Sequence, residues 1–217
     1  MLRNLQKFLA RLYRIEPPAD VRDYLITDAR HARALEGDGG REAEEKLLVA
    51  ENDDELHLAL YLDAELLERL ASQDPFECLG ADNFEDFCKV IEGLSHFNYL
   101  TWNALADRRV TLLELELQAE IDKYIGARTL ATHQARPELA ARLLAVLFES
   151  PRFHTTLSAA EYERYFHAGR FAGWYCRSLE ARYAGGLPGG DMLDELRAFY
   201  RLPQPAKLSH IHSAAYA

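Results

Sequence analysis

Apolar residues between positions 84 and 125 recur every three or four residues, which is the spacing of one face of an α-helix. The pattern runs from Phe84 to Trp102 and again from Leu113 to Ile125. The residues 106–110 between the two stretches suit a turn between antiparallel helices. The sequence therefore predicts a long helical hairpin as the core of the protein, with its apolar stripes at Phe84, Phe87, Val90, Ile91, Leu94, Phe97, Trp102, Leu113, Leu117, Ile121, Tyr124 and Ile125.

The second helix of this hairpin has a recognisable start. Thr111 and Glu114 form the pattern of a capping box, in which the Thr hydroxyl accepts a bond from the amide of residue 114 and the Glu carboxylate reaches back to Thr111. Glu114 also falls inside the apolar arc of its own helix, where it would instead be a buried acid. The capping role accounts for Glu114 without special chemistry.

Before residue 75 the period of the pattern changes to two, which is typical of a strand with one buried face. Residues 56–62 alternate in this way, residues 46–51 form a second apolar run, and a turn at 52–54 joins them. Residues 24–27 are interpreted as a third strand. The segment thus predicts a β-hairpin plus one strand in a small antiparallel sheet, followed by a helix that Asp63 caps and that runs to Leu70.

The chain beyond the central hairpin is predicted to be helical. Helices are expected at 137–148, 161–183, 191–200 and 207–214, with Pro137 in a first turn, a capping box at Ser158 and Glu161, and Asp191 as an N-cap. The Gly/Pro-rich stretch 185–190 ends the second of these. The fold class is therefore α+β, mostly helical, with a small N-terminal antiparallel sheet packed on a C-terminal helical bundle. We expect an α/β lobe over 1–73 and a bundle over 74–217, or one continuous domain.

The first 15 residues are basic and amphipathic. They contain four Lys or Arg residues and no acid, with Leu2, Leu5, Leu9 and Leu12 on one face. Either a docked structural helix or a membrane-surface or targeting segment has this pattern. No apolar run approaches the roughly 20 residues that span a bilayer, so no transmembrane segment is predicted.

Charge is distributed unevenly along the 217 residues, whose formal net charge is −10. Residues 1–126 have 14 Lys+Arg against 27 Asp+Glu and a net charge of −13, whereas residues 127–217 have a net charge of +3. This balance argues against nucleic-acid binding by the whole surface, but favours an acidic or anionic partner for the C-terminal part. Three widely spaced cysteines indicate reduced thiols in a cytoplasmic protein.

Two pairs of potential metal ligands lie one helical turn apart in the predicted hairpin. Glu92 and His96 are four residues apart in the first helix, and Glu116 and Glu120 are four residues apart in the second. In an antiparallel hairpin His96 and Glu120 fall at similar heights. A carboxylate–histidine metal site between the helices is one interpretation, although the Glu-x-x-His motif of di-iron bundle proteins is missing.

The alternative is that these four residues line a polar face and pair with Lys89 and Lys123, so that no metal or other cofactor is bound. His210 and His212 near the C-terminus form only a weak metal signal. We find no Gly-rich phosphate loop, nucleophile elbow or Cys-x-x-Cys motif, and assign no catalytic residue.

The predicted helix 161–183 has two distinct faces. Gly169, Ala172, Gly173 and Cys176 form a small-residue strip that another helix can approach closely. The other side is basic and aromatic, and is a candidate surface for a protein or anionic partner; its residues are Arg164, His167, Arg170, Trp174 and Arg177. The competing interpretation places Trp174 in the core and pairs the arginines with the acidic half of the chain.

The sequence alone favours a non-enzymatic binding or regulatory protein that uses this helix face. A metal-dependent enzyme with a carboxylate–histidine site is the alternative, and nucleic-acid binding by the C-terminal half is a further one. Whether the protein is an enzyme and which oligomer it forms are left open by the sequence.

Overall fold

A computed structural model describes residues 1–37, 42–52, 55–149, 157–183 and 189–214 of the chain. Nine α-helices, a 3-10 helix at Val21–Tyr24, a π-helix at Ala145–Glu149 and three strands lie in these ranges. The strands are β1 (Leu25–Ile26), β2 (Glu45–Asn52) and β3 (Glu55–Leu62). The helices are α1 (Leu2–Tyr13), α2 (Ala29–Glu36), α3 (Ala64–Ser72), α4 (Phe84–Ala104), α5 (Leu112–His133), α6 (Pro137–Leu144), α7 (Ala159–Arg182), α8 (Gly190–Tyr200) and α9 (Gln204–Ala214). The predicted α+β class with a mostly helical chain is confirmed.

The sheet has the order β1–β3–β2. β2 and β3 form the predicted antiparallel hairpin, with Leu47 opposite Leu60, but β1 runs parallel to β3 and pairs Leu25 with Leu60. The prediction of a purely antiparallel sheet was therefore wrong, and the sheet is mixed. A period of two shows that a strand has one buried face, but it contains no information on the direction of its neighbour. The hairpin residues 53–54 lie outside the described ranges.

α4 and α5 form the predicted central hairpin, and its apolar stripes are buried except at Phe84, Trp102 and Leu113, which are partly buried. Leu94 and Leu117 are fully enclosed, and they belong to a single apolar cluster that also contains Leu5 and Leu60. Both predicted segments, 1–73 and 74–217, contribute residues to this cluster.

Thr111 caps α5 as predicted, because its hydroxyl accepts a bond from the Glu114 amide at 3.1 Å. The Glu114 carboxylate, however, points into the protein. It accepts a hydrogen bond from the Tyr99 hydroxyl at 2.5 Å and pairs with Arg108. The capping-box role of the Glu114 side chain was therefore wrong, because a charged partner inside the fold stabilises the buried carboxylate.

α1 packs against the bundle through Leu5, Leu9 and Tyr13. Its C-terminal carbonyls accept bonds from α8: Arg197 donates to Leu12 at 3.1 Å, and Arg201 donates to Tyr13 at 3.1 Å. The first helix is therefore docked on the protein, which is one of the two interpretations that the sequence allowed for the first 15 residues. None of the helices in the described ranges combines the length and apolar character needed to cross a bilayer.

The C-terminal helices begin close to the predicted positions. Ser158 and Glu161 form a complete capping box at the start of α7. Asp191, in contrast, lies in the first turn of α8, whose N-cap is Gly189. α9 begins at Gln204, so Pro205 is inside its first turn, where the missing amide costs no helical hydrogen bond. Residues 184–188 of the predicted Gly/Pro stop lie outside the described ranges.

Candidate metal centre

α5 is buried around most of its circumference although it carries many polar residues. One polar row faces α1, α4 and α9 and consists of Glu114, Gln118 and Asp122. The opposite row contains Glu116, Glu120 and Lys123. Buried polar groups of this kind are stable only when they have partners, so each row identifies a polar cluster inside the protein.

The second row meets α4 at a compact group of potential metal ligands. Ligand atoms from Glu92, His96 and Glu116 all lie within 4.8 Å of one another. His96 is 8% exposed and Glu116 is 7% exposed, and His96 Nε2 is 3.4 Å from Glu116 Oε2. Three of the four residues predicted for the alternative metal site are thus adjacent. The prediction that His96 lies level with Glu120 was wrong, because the turn between α4 and α5 brings His96 against Glu116, one helical turn away from Glu120.

Glu120, the fourth predicted residue, binds Lys123 instead. Lys123 Nζ lies 2.6 Å from Glu120 Oε1 and 3.1 Å from Glu92 Oε2. Burial disfavours the charged amine, but the attraction of these two carboxylates outweighs it, so the pKa of Lys123 is raised well above its usual value. The predicted pairing with Lys123 is present, whereas Lys89 binds Glu44 and Glu85 at 2.7 Å each.

Two further residues at the cluster were not identified from the sequence. Glu45 of β2 places Oε1 3.9 Å from His96 Nδ1, and Arg164 of α7 places Nε 3.5 Å from Glu116 Oε1. Glu45 directly precedes the predicted strand 46–51 and was given no role, and Arg164 was assigned to the surface face of its helix. The one available signal was Gly93, since a glycine within a helix can mark a close approach by another element.

Several side-chain nitrogen and oxygen atoms of the cluster are buried and make no hydrogen bond. Within the described ranges, Glu45 Oε1, His96 Nε2 and Arg164 Nε have no hydrogen-bond partner. At 3.4 Å, the contact between His96 Nε2 and Glu116 is an ion pair rather than a well-formed hydrogen bond. Buried polar atoms are almost always satisfied in folded proteins, so unsatisfied atoms around one point mark a place where an ion or a water can bind.

The charges at the cluster do not balance. Four carboxylates lie there, those of Glu45, Glu92, Glu116 and Glu120. They face two cations, Lys123 and Arg164. Burial, together with the charges of Glu92 and Glu116, raises the pKa of the Glu45 carboxyl to about 8. Burial disfavours the His96 imidazolium, but Glu116 and Glu45 stabilise it more, so the pKa of His96 is raised to about 9. The carboxylates around His96 thus favour positive charge on its ring.

The cluster forms part of the wall of a cleft of about 1030 Å³ between the sheet, α4, α5 and α7. Glu45, Glu92, Glu120 and Lys123 contribute to this wall. Apolar side chains also line it, namely Phe84 of α4, Val146 and Leu147 after α6, and Leu157 before α7. Further charged side chains complete the wall, including Arg33, Glu44, Lys46, Asp63 and Lys89. A molecule in the cleft can therefore reach the polar cluster.

The other polar row of α5 is fully paired and has a structural role. Asp122 accepts hydrogen bonds from Tyr13, Gln118 and Ser95, the last at 2.6 Å, and Lys207 donates to Gln118 at 2.6 Å. Lys207 is 0% exposed, and its amine lies 4.8 Å from the centre of the Tyr99 ring. Burial lowers the pKa of Lys207 well below its usual value and raises that of Asp122 to about 6.

The residues predicted as a basic and aromatic face of α7 are divided between two places. Arg164 lies at the buried cluster, whereas His167, Arg170 and Arg177 are exposed. The Arg170 guanidinium lies 4.5 Å from the centre of the half-buried Trp174 ring, and Arg177 pairs with Glu149 at 3.1 Å. Ala172, Gly173 and Cys176 of the predicted small-residue strip are buried. The prediction was wrong for Gly169, which is only partly buried and would have no atom within 4 Å of an added Cβ.

The remaining candidate residues show no arrangement for chemistry. His210 pairs with Glu195 at 3.1 Å, while His212 packs against Phe171 and Trp174, so the two histidines do not converge. All three cysteines are free, and Cys78 is exposed. Burial raises the pKa of the Cys88 thiol to about 12, which makes it a poor nucleophile.

Within the described ranges, the buried cluster is thus the strongest candidate for a metal-binding or catalytic site. It combines one imidazole and four carboxylates from three elements with a lysine and an arginine. The chain matches no protein-family model, no curated protein and no solved structure.

Proposed function

We propose that this protein binds a divalent transition-metal ion between α4 and α5 through Glu92, His96 and Glu116. The observation that carries the proposal is the buried and unbonded Nε2 of His96, which lies beside two carboxylates whose oxygens are within 4.8 Å of it. An imidazole with carboxylates is a donor set that suits Mn²⁺, Fe²⁺ or Zn²⁺.

Charge supports a dication at this position. With His96 neutral and all four carboxylates ionised, the cluster has two more negative than positive charges. A divalent ion balances this excess, and it supplies the positive charge that the protein otherwise obtains by protonating Glu45 and His96. The same ion would interact with the lone pair of His96 Nε2.

Three protein ligands would leave further coordination positions for water or a bound molecule, as in catalytic rather than structural metal sites. The cleft beside Glu92 offers space for such a molecule. A metal-dependent enzyme acting on a molecule in this cleft is therefore the proposed function class. The metal would polarise an oxygen of that molecule or lower the pKa of bound water. The proposed location is the cytoplasm, where free cysteines are stable.

The test is elemental analysis of protein purified without chelator, followed by calorimetric titration of the stripped protein with Mn²⁺, Fe²⁺ and Zn²⁺. We expect one ion per chain. His96→Ala and Glu116→Gln should each weaken binding by more than about 100-fold, because even partners outside the ligand set cost roughly 10–100-fold. His57→Ala is the matched control, since His57 is exposed on β3. Equal affinity of the wild type and His96→Ala would contradict the proposal.

A second candidate function is docking of an acidic protein segment on the exposed side of α7. It is supported by the stacked pair Arg170 and Trp174, and by two aromatic residues nearer the start of the helix, Tyr162 and Phe166, which are 47% and 40% exposed. Guanidinium and aromatic groups together favour carboxylate-bearing partners.

This second candidate is tested by titrating Trp174 fluorescence with a polyglutamate peptide in a Trp102→Phe background. Reversing Arg170 and Arg177 to Glu should abolish binding and leave the melting temperature unchanged, while the exposed Arg30→Glu serves as control. Loss of folding in the double variant would instead make this side of α7 structural. Salt-sensitive binding of single-stranded DNA in preference to the peptide would favour the nucleic-acid alternative.

A further inference from the structure

The imidazole of His96 lies between carboxylates from two different elements of the fold. Its Nε2 faces Glu116 of α5 at 3.4 Å, and its Nδ1 faces Glu45 of β2 at 3.9 Å. Glu45 Oε1 is buried and makes no hydrogen bond within the described ranges. The ring therefore has an acidic neighbour at each nitrogen.

We propose that Glu45 is a positioning residue of the metal centre, whose carboxylate accepts the Nδ1–H of His96 while Nε2 binds the ion. This inference rests on the proposed metal site. A histidine that binds a metal through one nitrogen usually donates the other N–H to a carboxylate or carbonyl, which fixes the tautomer and the orientation of the ring. Glu45 Oε1, 3.9 Å from Nδ1, is the carboxylate oxygen on that side of the ring.

Glu45 is not placed as a fourth ligand. The converging donor atoms belong to Glu92, His96 and Glu116, and Glu45 approaches the ring from its Nδ1 side. The two nitrogens of an imidazole point in different directions, so one ion cannot contact both. The role of Glu45 is thus to act on the metal through His96.

The position of Glu45 depends on the absence of a side chain at residue 93. A Cβ there would lie 2.9 Å from Glu45 Oε1 and 2.9 Å from Leu60 Cδ1. Gly93 therefore allows β2 and β3 to pack directly on α4, beside Glu92 and three residues before His96. In consequence, a metal ion bound by α4 and α5 would be linked to the sheet through His96 and Glu45.

The experiment is calorimetric titration of the stripped full-length protein with Zn²⁺, comparing wild type, Glu45→Gln and Glu44→Gln. Glu44 is the matched control because its carboxylate binds Arg69 and Lys89, away from His96. We expect Glu45→Gln to weaken Zn²⁺ binding by about 10–100-fold and Glu44→Gln to leave it unchanged. The melting temperature of each variant in chelator shows whether the fold is intact.

A second measurement separates positioning from a general structural effect. In the Zn²⁺-loaded wild type, the Nδ1–H of His96 should give a slowly exchanging proton signal by NMR, and Glu45→Ala should lose it. Unchanged affinity and an unchanged signal in the Glu45 variants would refute this role while the metal site stands. A loss as large as that of His96→Ala would overturn it in favour of direct ligation. If the wild type binds no Zn²⁺, Mn²⁺ or Fe²⁺, the metal site itself fails and this role with it.

Discussion

Replacing Gly93 by Ala should destabilise the protein, although alanine is the better helix former. The intrinsic preference of an α-helix for Ala over Gly is worth about 0.8–1.0 kcal/mol. At position 93 the added Cβ would lie 2.9 Å from both Glu45 Oε1 and Leu60 Cδ1, so these side chains, or the strands that hold them, must move away from α4. Such overpacking costs about 1–3 kcal/mol. The free energy of unfolding should therefore fall by about 0–2 kcal/mol.

Gly169 in α7 is the matched control. It is also inside a long helix, but a Cβ there has no atom within 4 Å, so Gly169→Ala should gain the full helical preference of about 1 kcal/mol. Gly126→Ala should lie between the two, since its Cβ would make ordinary contacts at 3.4 Å and 3.5 Å with Phe87 and Phe8. Urea denaturation of the metal-free proteins measures all three differences. Stabilisation of Gly93→Ala as large as that of Gly169→Ala would refute the close packing of β2 and β3 on α4.

Four other predictions concern the core, a helix cap and two buried titratable groups. Leu94→Ala or Leu117→Ala should lower the free energy of unfolding by about 2–5 kcal/mol, and an unchanged denaturant midpoint would exclude these positions from the core. Ser158→Ala should lower the free energy of unfolding by about 0.5–2 kcal/mol in the same assay, because it removes the acceptor for the Glu161 amide. An unchanged free energy of unfolding would show that α7 does not begin at Ser158. In chelator, the contribution of His96 to stability should be fully present below pH 6.5 and lost as the pH rises through about 9, because the folded state binds the His96 proton more tightly than the unfolded state does. A stability difference between wild type and His96→Ala that does not change with pH would contradict the raised pKa of His96. Lys207 should act in the opposite direction: its pKa is lowered in the folded state, so the stability of the wild type relative to Lys207→Met should increase with pH up to 10.5, and a decrease would contradict the lowered pKa.

Much of the fold was predictable because its signals are local. The stripes that contain Leu94 and Leu117 determine two amphipathic helices whichever element covers them, and the short turn makes those helices antiparallel neighbours. The cap at Ser158 depends on residues three positions apart. The spacing of Glu92 and His96 likewise places both side chains on one face of one helix, which is why part of the cluster was predictable.

The rest of the cluster depends on contacts between distant segments. Glu45 is 51 positions before His96 and lies on a strand, and Arg164 is 48 positions after Glu116. Only the packing of β2 and α7 against the hairpin brings these two side chains to the ligands. The direction of β1 has the same origin, because strand pairing joins residues that no local pattern relates.

Glu114 shows the same limit within a single helix. The sequence determines that Thr111 starts α5 and that Glu114 stands three positions later, which permits both a capping carboxylate and a buried one. Arg108 and Tyr99 decide between them, because their side chains stabilise the charge of Glu114 inside the protein. The sequence by itself thus determined the helices and the ligand types that each helix face presents. The tertiary structure alone decided which charges meet, because the electrostatic energy of a buried group depends on partners that are close in space and distant along the chain.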